Sequence, residues 1–254
     1  MLAYLYIYGG LAVLVIAPFC RRDRRRRWDD IVTAALFFAF TVVGTLVSIE
    51  LIRAFPRTMD PLLLRADHAL GFDTLRISHW LITRPVLAPV LADAYNVLSI
   101  MIALAWVAEQ NPSTRWSCLI GGMLCFAFYA AFPAVGPRHY DWNTQVATGL
   151  RNCVPSMHLT WAILIAWNAK ALRFRVPLQI YAGLMAVATI AVGEHYLVDL
   201  LLAVPFSIGV QYLTMWILRH RLGFKHGWLA NPQSPAPGPA QPAVGSAVRG
   251  SLNR

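Results

Sequence analysis

Two polar clusters in an otherwise apolar C-terminal half carry the residue types needed for group transfer. The first is Arg151-Asn152-Cys153-Val154-Pro155-Ser156-Met157-His158, and the second is Gly193-Glu194-His195-Tyr196-Leu197-Val198-Asp199. On a helix, His195 and Asp199 lie one turn apart on the same side, so the carboxylate can hold one imidazole nitrogen and leave the other to attack. His158 follows a Pro-Ser pair at an expected helix start, where unsatisfied N–H groups and the positive dipole end favour an anion. A phosphate held between the two imidazoles would meet His195 as nucleophile, Asp199 as its orienter and His158 as the general acid protonating the leaving oxygen.

The elements that must position these groups follow from the apolar runs between them. Residues 159–169 and 176–192 are apolar and are separated by Lys170, Arg173 and Arg175. From Ser156 to His195 is 39 residues, as helix about 58 Å, close to two passes through a hydrocarbon core of ~30 Å. A helical hairpin of this length returns both histidines to one membrane face.

Composition places the whole chain in a bilayer. Hydrophobic residues make up 57% and charged residues 13%, and the mean hydropathy is +0.52, values that a soluble domain of this length does not keep in solution. The net charge of +10 does not read as nucleic-acid binding, because the positives cluster beside apolar runs instead of along one face with stacking aromatics. Cys20, Cys118, Cys125 and Cys153 show no paired spacing, which argues against a zinc site or a disulfide framework. Cys153 reads as packing filler.

Taken in order, residues 2–19 are expected to form a retained span, with Arg21 to Arg27 on its cytoplasmic side. Residues 31–52 return outward. Residues 54–85 are too polar and broken to span, and read either as one or two short interfacial helices roofing the site or as a packed connector. A third span, about 86–107, carries Asp93 and Asn96 at membrane depth; Asp93 is a possible headgroup contact or half of a structural pair. A fourth, 117–135, delivers Gly136-Pro137-Arg138-His139-Tyr140 to the outer face, where Arg138 and Arg151 are the arginines placed to grip phosphate oxygens. His139 reads as an interfacial residue. The last span, about 197–218, runs into Arg219, His220, Arg221 and Lys225, so every dense basic cluster falls on one side. The tail from Asn231, rich in Pro, Ala, Gly and Ser, is expected to be disordered.

Pro155-Ser156-Met157-His158 and His195 with Asp199 together resemble the second and third motifs of the type 2 phosphatidic acid phosphatase superfamily of membrane lipid phosphatases and phosphotransferases. The resemblance covers roughly residues 40–220. It implies a phosphohistidine route that uses no metal and no cofactor, with His195, His158 and Asp199 as the catalytic set and Arg138, Arg151 and Ser156 on the phosphate. Two elements depart from the family pattern: Ala188 and Thr189 stand where Ser-Arg is usual, and the Lys/Arg-Pro motif is replaced by Phe132-Pro133-Ala134-Val135-Gly136-Pro137-Arg138. That run, Met157 in place of Gly, and His195-Tyr196 resemble the inositol phosphorylceramide synthase branch, which implies headgroup transfer as an alternative to hydrolysis.

The expected fold is all-α: a polytopic membrane helix bundle of six core spans plus an extra N-terminal span, with interfacial helices between spans 2 and 3. The expected units are 1–29 (N-terminal span and basic loop), 30–222 (catalytic domain) and 223–254 (cytoplasmic tail). Expected partners are a lipid phosphate substrate and membrane lipids, with no nucleic acid. The arginine- and alanine-rich composition suggests a bacterial inner membrane with the site facing the periplasm. Rival chemistries lack their residues. There is no aspartate array with an Asp-Gly start for Mg²⁺-dependent transfer, and Glu194-His195 lacks the second histidine of a zinc motif. A non-catalytic lipid-binding or transport protein would draw on the span prolines Pro89 and Pro205, which come without an internal repeat.

Overall fold

The computed structural model describes residues 24–54, 58–108, 112–144, 146–149, 153–169 and 172–220. The expected first span over 2–19, Arg151 and the tail from 223 lie outside the described residues. In chain order the elements are α1 (Arg24–Ala54), α2 (Asp60–Ala69), α3 (Thr74–Ile82), α4 (Leu87–Asn96), α5 (Leu98–Ala108), α6 (Pro112–Ala131), a 3₁₀ turn (Pro137–His139), β1 (Tyr140–Asp141), β2 (Val146–Ala147), α7 (Met157–Asn168), α8 (Leu172–Ala191) and α9 (Leu197–His220). The two short strands pair antiparallel, Tyr140 opposite Ala147 and Asp141 opposite Val146. The described part of the chain is otherwise helical, as the sequence requires.

Local chemistry explains the boundaries. Ser156 has extended backbone and its hydroxyl accepts from Leu159 N–H at 3.3 Å, so the Pro-Ser pair starts α7 as an N-cap. Asp73 does the same for α3 through Arg76 N–H, and Pro61 opens α2 where its missing N–H costs nothing. Between α4 and α5 the axis bends by 42°. There the Asn96 amide donates to the Ala92 carbonyl at 2.8 Å, competing for an acceptor of the helical ladder.

Arg173–Ala191 and Leu197–His220 are long and apolar enough to cross a membrane, and Leu87–Asn96 with Leu98–Trp106 qualifies as one broken span. Among the described residues that makes two spans, or three with the broken one, where the sequence reading expects six plus one. The shortfall has physical causes. α7 holds 12 residues, about 18 Å of helix, and α6 opens on Pro112, Ser113, Thr114 and Arg115, which lowers its mean hydropathy. α1 contributes a shorter apolar segment, Ala34–Glu50.

Leu98, Ile102, Trp106, Leu164, Ile165 and Met185 form the main core where α5, α7 and α8 meet. The outer surface is apolar too: Ile180 is 68% exposed and Tyr212 69%, and Leu46, Val187, Leu201 and Trp216 are exposed with them. A soluble surface does not carry so continuous an apolar skin, whereas a bilayer requires one. The molecule is an integral membrane protein.

At the end of the bundle where α6 begins, four buried polar side chains tie three helices together. Ser113 donates to Asn168 Oδ1 at 2.7 Å, Asn168 Nδ2 donates to Ser117 Oγ and Gln211 Oε1, and Gln211 Nε2 donates to Ser113 Oγ and Asn168 Oδ1. Each partner satisfies another, which is the condition for burying amides among apolar helices.

Candidate active site

The hairpin of α7 and α8 brings the two histidines together: the His158 and His195 rings lie 5.9 Å apart, centroid to centroid, at 65°. Asp199 stands at the third position of α9 and its Oδ2 accepts from three groups. These are His195 Nδ1 at 3.1 Å, the Tyr196 backbone N–H at 3.2 Å and the Cys153 thiol at 2.6 Å. The Tyr196 bond is half of a capping box, so the residue that orients His195 also starts the helix.

His195 Nδ1 also lies 3.2 Å from the Cys153 carbonyl oxygen. A carbonyl only accepts, as does a carboxylate, so Nδ1 carries a proton, and in the neutral ring the lone pair is on Nε2. His195, Asp199, Cys153 and Ser156 are all buried. Burial, together with the Asp199 carboxylate beside it, pushes the Cys153 thiol well above its ordinary range, which keeps it a donor. Cys153 therefore does more than fill space. Cys153, His195 and Asp199 are also the one group among the described residues with the spacing to ligate a metal ion; Asp199 Oδ2 is taken by the thiol and the imidazole, while Asp199 Oδ1 is buried without a hydrogen-bond partner.

Two short helices lock this loop from outside. Asp60 of α2 is fully buried and accepts from Val135 N–H, Gly136 N–H at 2.9 Å and the Tyr196 hydroxyl at 2.9 Å. Asp67, two turns further along the same face of α2, accepts from Leu197 N–H at 2.9 Å, Val198 N–H at 2.8 Å and the Thr74 hydroxyl. The described part of the 54–85 region holds two short helices, and they serve as a clamp on the start of α9. Neither aspartate stood out in the sequence. The available signal was two acids seven residues apart, hence on one helical face, flanking Leu63 and Leu64 in an apolar segment.

Arg138 reaches the site through its backbone: its N–H donates to Gly193 O at 2.9 Å. Gly193 has φ +74°, and a Cβ there would lie 2.9 Å from Arg138 Cβ. Gly136 has φ +88°, and its missing Cβ would run into the Glu194 carbonyl. These glycines let two loops approach at backbone distance, which puts the exposed Arg138 side chain at the rim. Ser156 is present as the α7 cap. Asp93 is exposed on α4, and the contact that this helix makes with the histidine pair comes two residues later. There Tyr95 stacks on His158 with centroids 4.2 Å apart and planes at 26°.

His139 is a site-rim residue. Its Nε2 lies 3.0 Å from Glu194 Oε1, and its carbonyl accepts from both Thr148 N–H and Thr148 Oγ1. The Glu194 hydrogen bond raises His139 above its ordinary 6.5, with burial opposing. Burial by itself would push Glu194 up, but the His139 hydrogen bond and the imidazoles around it bring it below its ordinary 4.5. Folding stability from the raised histidine is full below about 6.5 and lost as pH rises through its folded value. That from the lowered carboxylate is full above about 4.5 and lost as pH falls through its folded value. The expected result is a melting temperature in detergent highest between about pH 4.5 and 6.5, with a flatter profile for Glu194→Gln; parallel profiles for the two proteins would refute the pairing.

A family model of the PAP2 superfamily matches residues 61–213, more than half of the chain and the part that contains Asp67, both histidines and Asp199. Comparison with curated proteins and with solved structures gives no match. With the matched region coinciding with the helices that build the site, the chain belongs to the PAP2 superfamily, whose members are in general phosphatases or phosphotransferases.

Proposed function

We propose that the protein cleaves or transfers a lipid-linked phosphate through a phosphohistidine on His195, without a metal. The observation that carries this reading is the state of His195: two acceptors fix the proton on Nδ1, which leaves Nε2 as a nucleophile, with a second imidazole within one ring-pair distance. Nε2 attacks phosphorus, the bond to the leaving oxygen breaks, and His158 supplies that oxygen's proton. Asp199 stabilises the positive charge that His195 acquires. Arg138, Arg151, Ser156 and the N–H groups at the start of α7 receive the phosphate oxygens, and a preorganised set of such donors supplies much of the rate. Water then releases phosphate, or an alcohol accepts it.

A second reading, transfer of a phospho-headgroup in the manner of inositol phosphorylceramide synthases, draws on the Pro137-Arg138 run and on His195-Tyr196. In either case the clustering of arginines beside the apolar runs supports a site on the outer, periplasmic side of the membrane.

The test is phosphate release from a panel of lipid phosphates and pyrophosphates by the detergent-purified protein in EDTA. His195→Ala and His158→Ala are assayed in parallel. EDTA-resistant release that falls by about 10³-fold or more in His195→Ala supports the reading. Exchange of label between a phospholipid and an added alcohol, without release, selects the transferase. Inertness in both assays, or full activity in His195→Ala, rejects a phosphohistidine.

A further inference from the structure

The two histidines of the site are held in different ways. His195 has a carboxylate on Nδ1. His158 has a tyrosine: the Tyr95 ring lies against its face, and the Tyr95 hydroxyl is 3.4 Å from Nδ1. Among the described residues no carboxylate bonds to His158. The backbone at this point of α4 is itself pinned, since the Tyr181 hydroxyl donates to the Ala94 carbonyl at 3.0 Å. At 3.4 Å the hydroxyl contact is long for a hydrogen bond, so the ring face sets the plane of the imidazole and the hydroxyl adds to it.

We propose that Tyr95 is the positioning residue of His158, and that it lets this histidine change protonation state twice in each turnover. The proposal rests on the phosphohistidine reading. A carboxylate partner favours one state, the imidazolium. That suits a nucleophile, which gains positive charge as it attacks, but hinders a group that must give up a proton and take one back. A hydroxyl is an uncharged acceptor. It accepts from Nδ1–H, which stays on the ring in both states while the proton exchanged is the one on Nε2. It holds the imidazolium more tightly than the neutral ring, but far less than a carboxylate would. Burial and the neighbouring His195 work against the imidazolium at His158 and Glu194 works for it, and the stacked π-face adds a modest preference for the cation.

The steps balance. Nε2–H of His158 gives its proton to the leaving oxygen while the P–O bond breaks and the bond from His195 Nε2 to phosphorus forms. Neutral His158 then takes the proton of the acceptor hydroxyl as the acceptor oxygen bonds to phosphorus, and the P–N electron pair returns to His195. The other titratable groups within electrostatic reach of His158 are His195 and Glu194.

Leaving-group dependence tests this. Wild type, Tyr95→Phe and Tyr95→Ala, all full-length in detergent, are assayed on a lipid phosphate, whose alkoxide must be protonated, and on p-nitrophenyl phosphate, whose phenolate leaves unaided. General-acid assistance contributes about 10²–10⁴-fold. The expected fall in kcat for Tyr95→Ala is about 10–100-fold on the lipid, with much less on the aryl ester and KM little changed. Tyr95→Phe keeps the ring and should fall between. Its pH limb assigned to His158 should shift to lower pH, because the imidazolium has lost an acceptor. Equal losses on both substrates, or Tyr95→Phe with a wild-type rate and pH profile, would overturn the proposal. ¹⁵N resonances of His158, identified by their loss in His158→Asn, supply a readout that needs no turnover. A Tyr95→Phe protein whose His158 titrates at the wild-type pH overturns the role of Tyr95 even if neither substrate reacts. Wild-type inertness on both, with the shift present, overturns only the phosphohistidine reading.

Discussion

Replacing Asp199 by Asn is expected to lower kcat by about 10²–10⁴-fold, the range set by a hydrogen-bonded carboxylate that fixes the tautomer of a catalytic imidazole. One oxygen, Oδ2, now serves His195 Nδ1, Tyr196 N–H and the Cys153 thiol together. An amide offers a single acceptor oxygen and a donor NH₂. If that oxygen stays on the three donors, the developing imidazolium loses its counter-charge. If the amide flips, a donor faces His195 Nδ1 and drives its proton to Nε2, which removes the nucleophilic lone pair. Either way the loss is in kcat, with KM nearly unchanged, and phosphohistidine trapped by an alkaline quench should be undetectable. A variant that still accumulates labelled phosphohistidine at the wild-type rate would show that Asp199 is only the helix cap.

Asp60→Ala is expected to have the largest effect on stability. Its carboxylate is fully buried and answers two backbone N–H groups and one hydroxyl. Alanine leaves all three donors without it, at about 1–3 kcal/mol for each buried donor that finds no substitute. Part of this is recovered by relaxation, so a loss on the order of 4 kcal/mol is expected, about 10 °C in melting temperature. The same substitution frees the 135–136 turn from Tyr196, so Arg138 and His195 lose their fixed relation and activity should fall even in the fraction that remains folded. Melting followed by tryptophan fluorescence, beside turnover measured well below the transition, separates the two losses. An unchanged melting temperature would mean that water replaces the carboxylate and that α2 is not a clamp.

What the sequence made legible was chemistry written locally. Pro155-Ser156 precedes His158 and starts α7 as expected. His195 and Asp199 do meet, at 3.1 Å, but His195 lies just before α9 and the contact is made at the helix start and not across a helical turn. The hairpin that joins them follows from the lengths of two apolar runs. The residues that went unread are those whose partners are distant along the chain. Tyr95 meets His158 across 63 positions, Cys153 meets Asp199 across 46, and Asp60 meets Tyr196 across 136. No periodicity encodes such pairs, and a cysteine in an apolar stretch looks the same whether it fills space or donates to a carboxylate. His139 was read as interfacial because its partner, Glu194, becomes visible only once two glycines have let the loops close. Of the seven expected spans the first lies outside the described residues; α4 and α5 make one broken span where 86–107 was read as one, and α7, of 12 residues, is a short helix entered from a folded loop.

The knot of Ser113, Ser117, Asn168 and Gln211 bears on the far end of the bundle. Asn168 is the last residue of α7 and His158 the second, so one short rigid rod carries a polar anchor at its foot and an imidazole at its head. Apolar packing among lipids is forgiving about rotation and sliding, since one methyl-bearing face exchanges for another at little cost. An amide with its acceptor and donors already chosen is not. The knot therefore acts as a key in a keyway: it indexes α7 against α6 and α9 in both height and azimuth. The direction in which His158 faces is thus decided some ten residues away, at an end of the protein where no phosphate is expected to come.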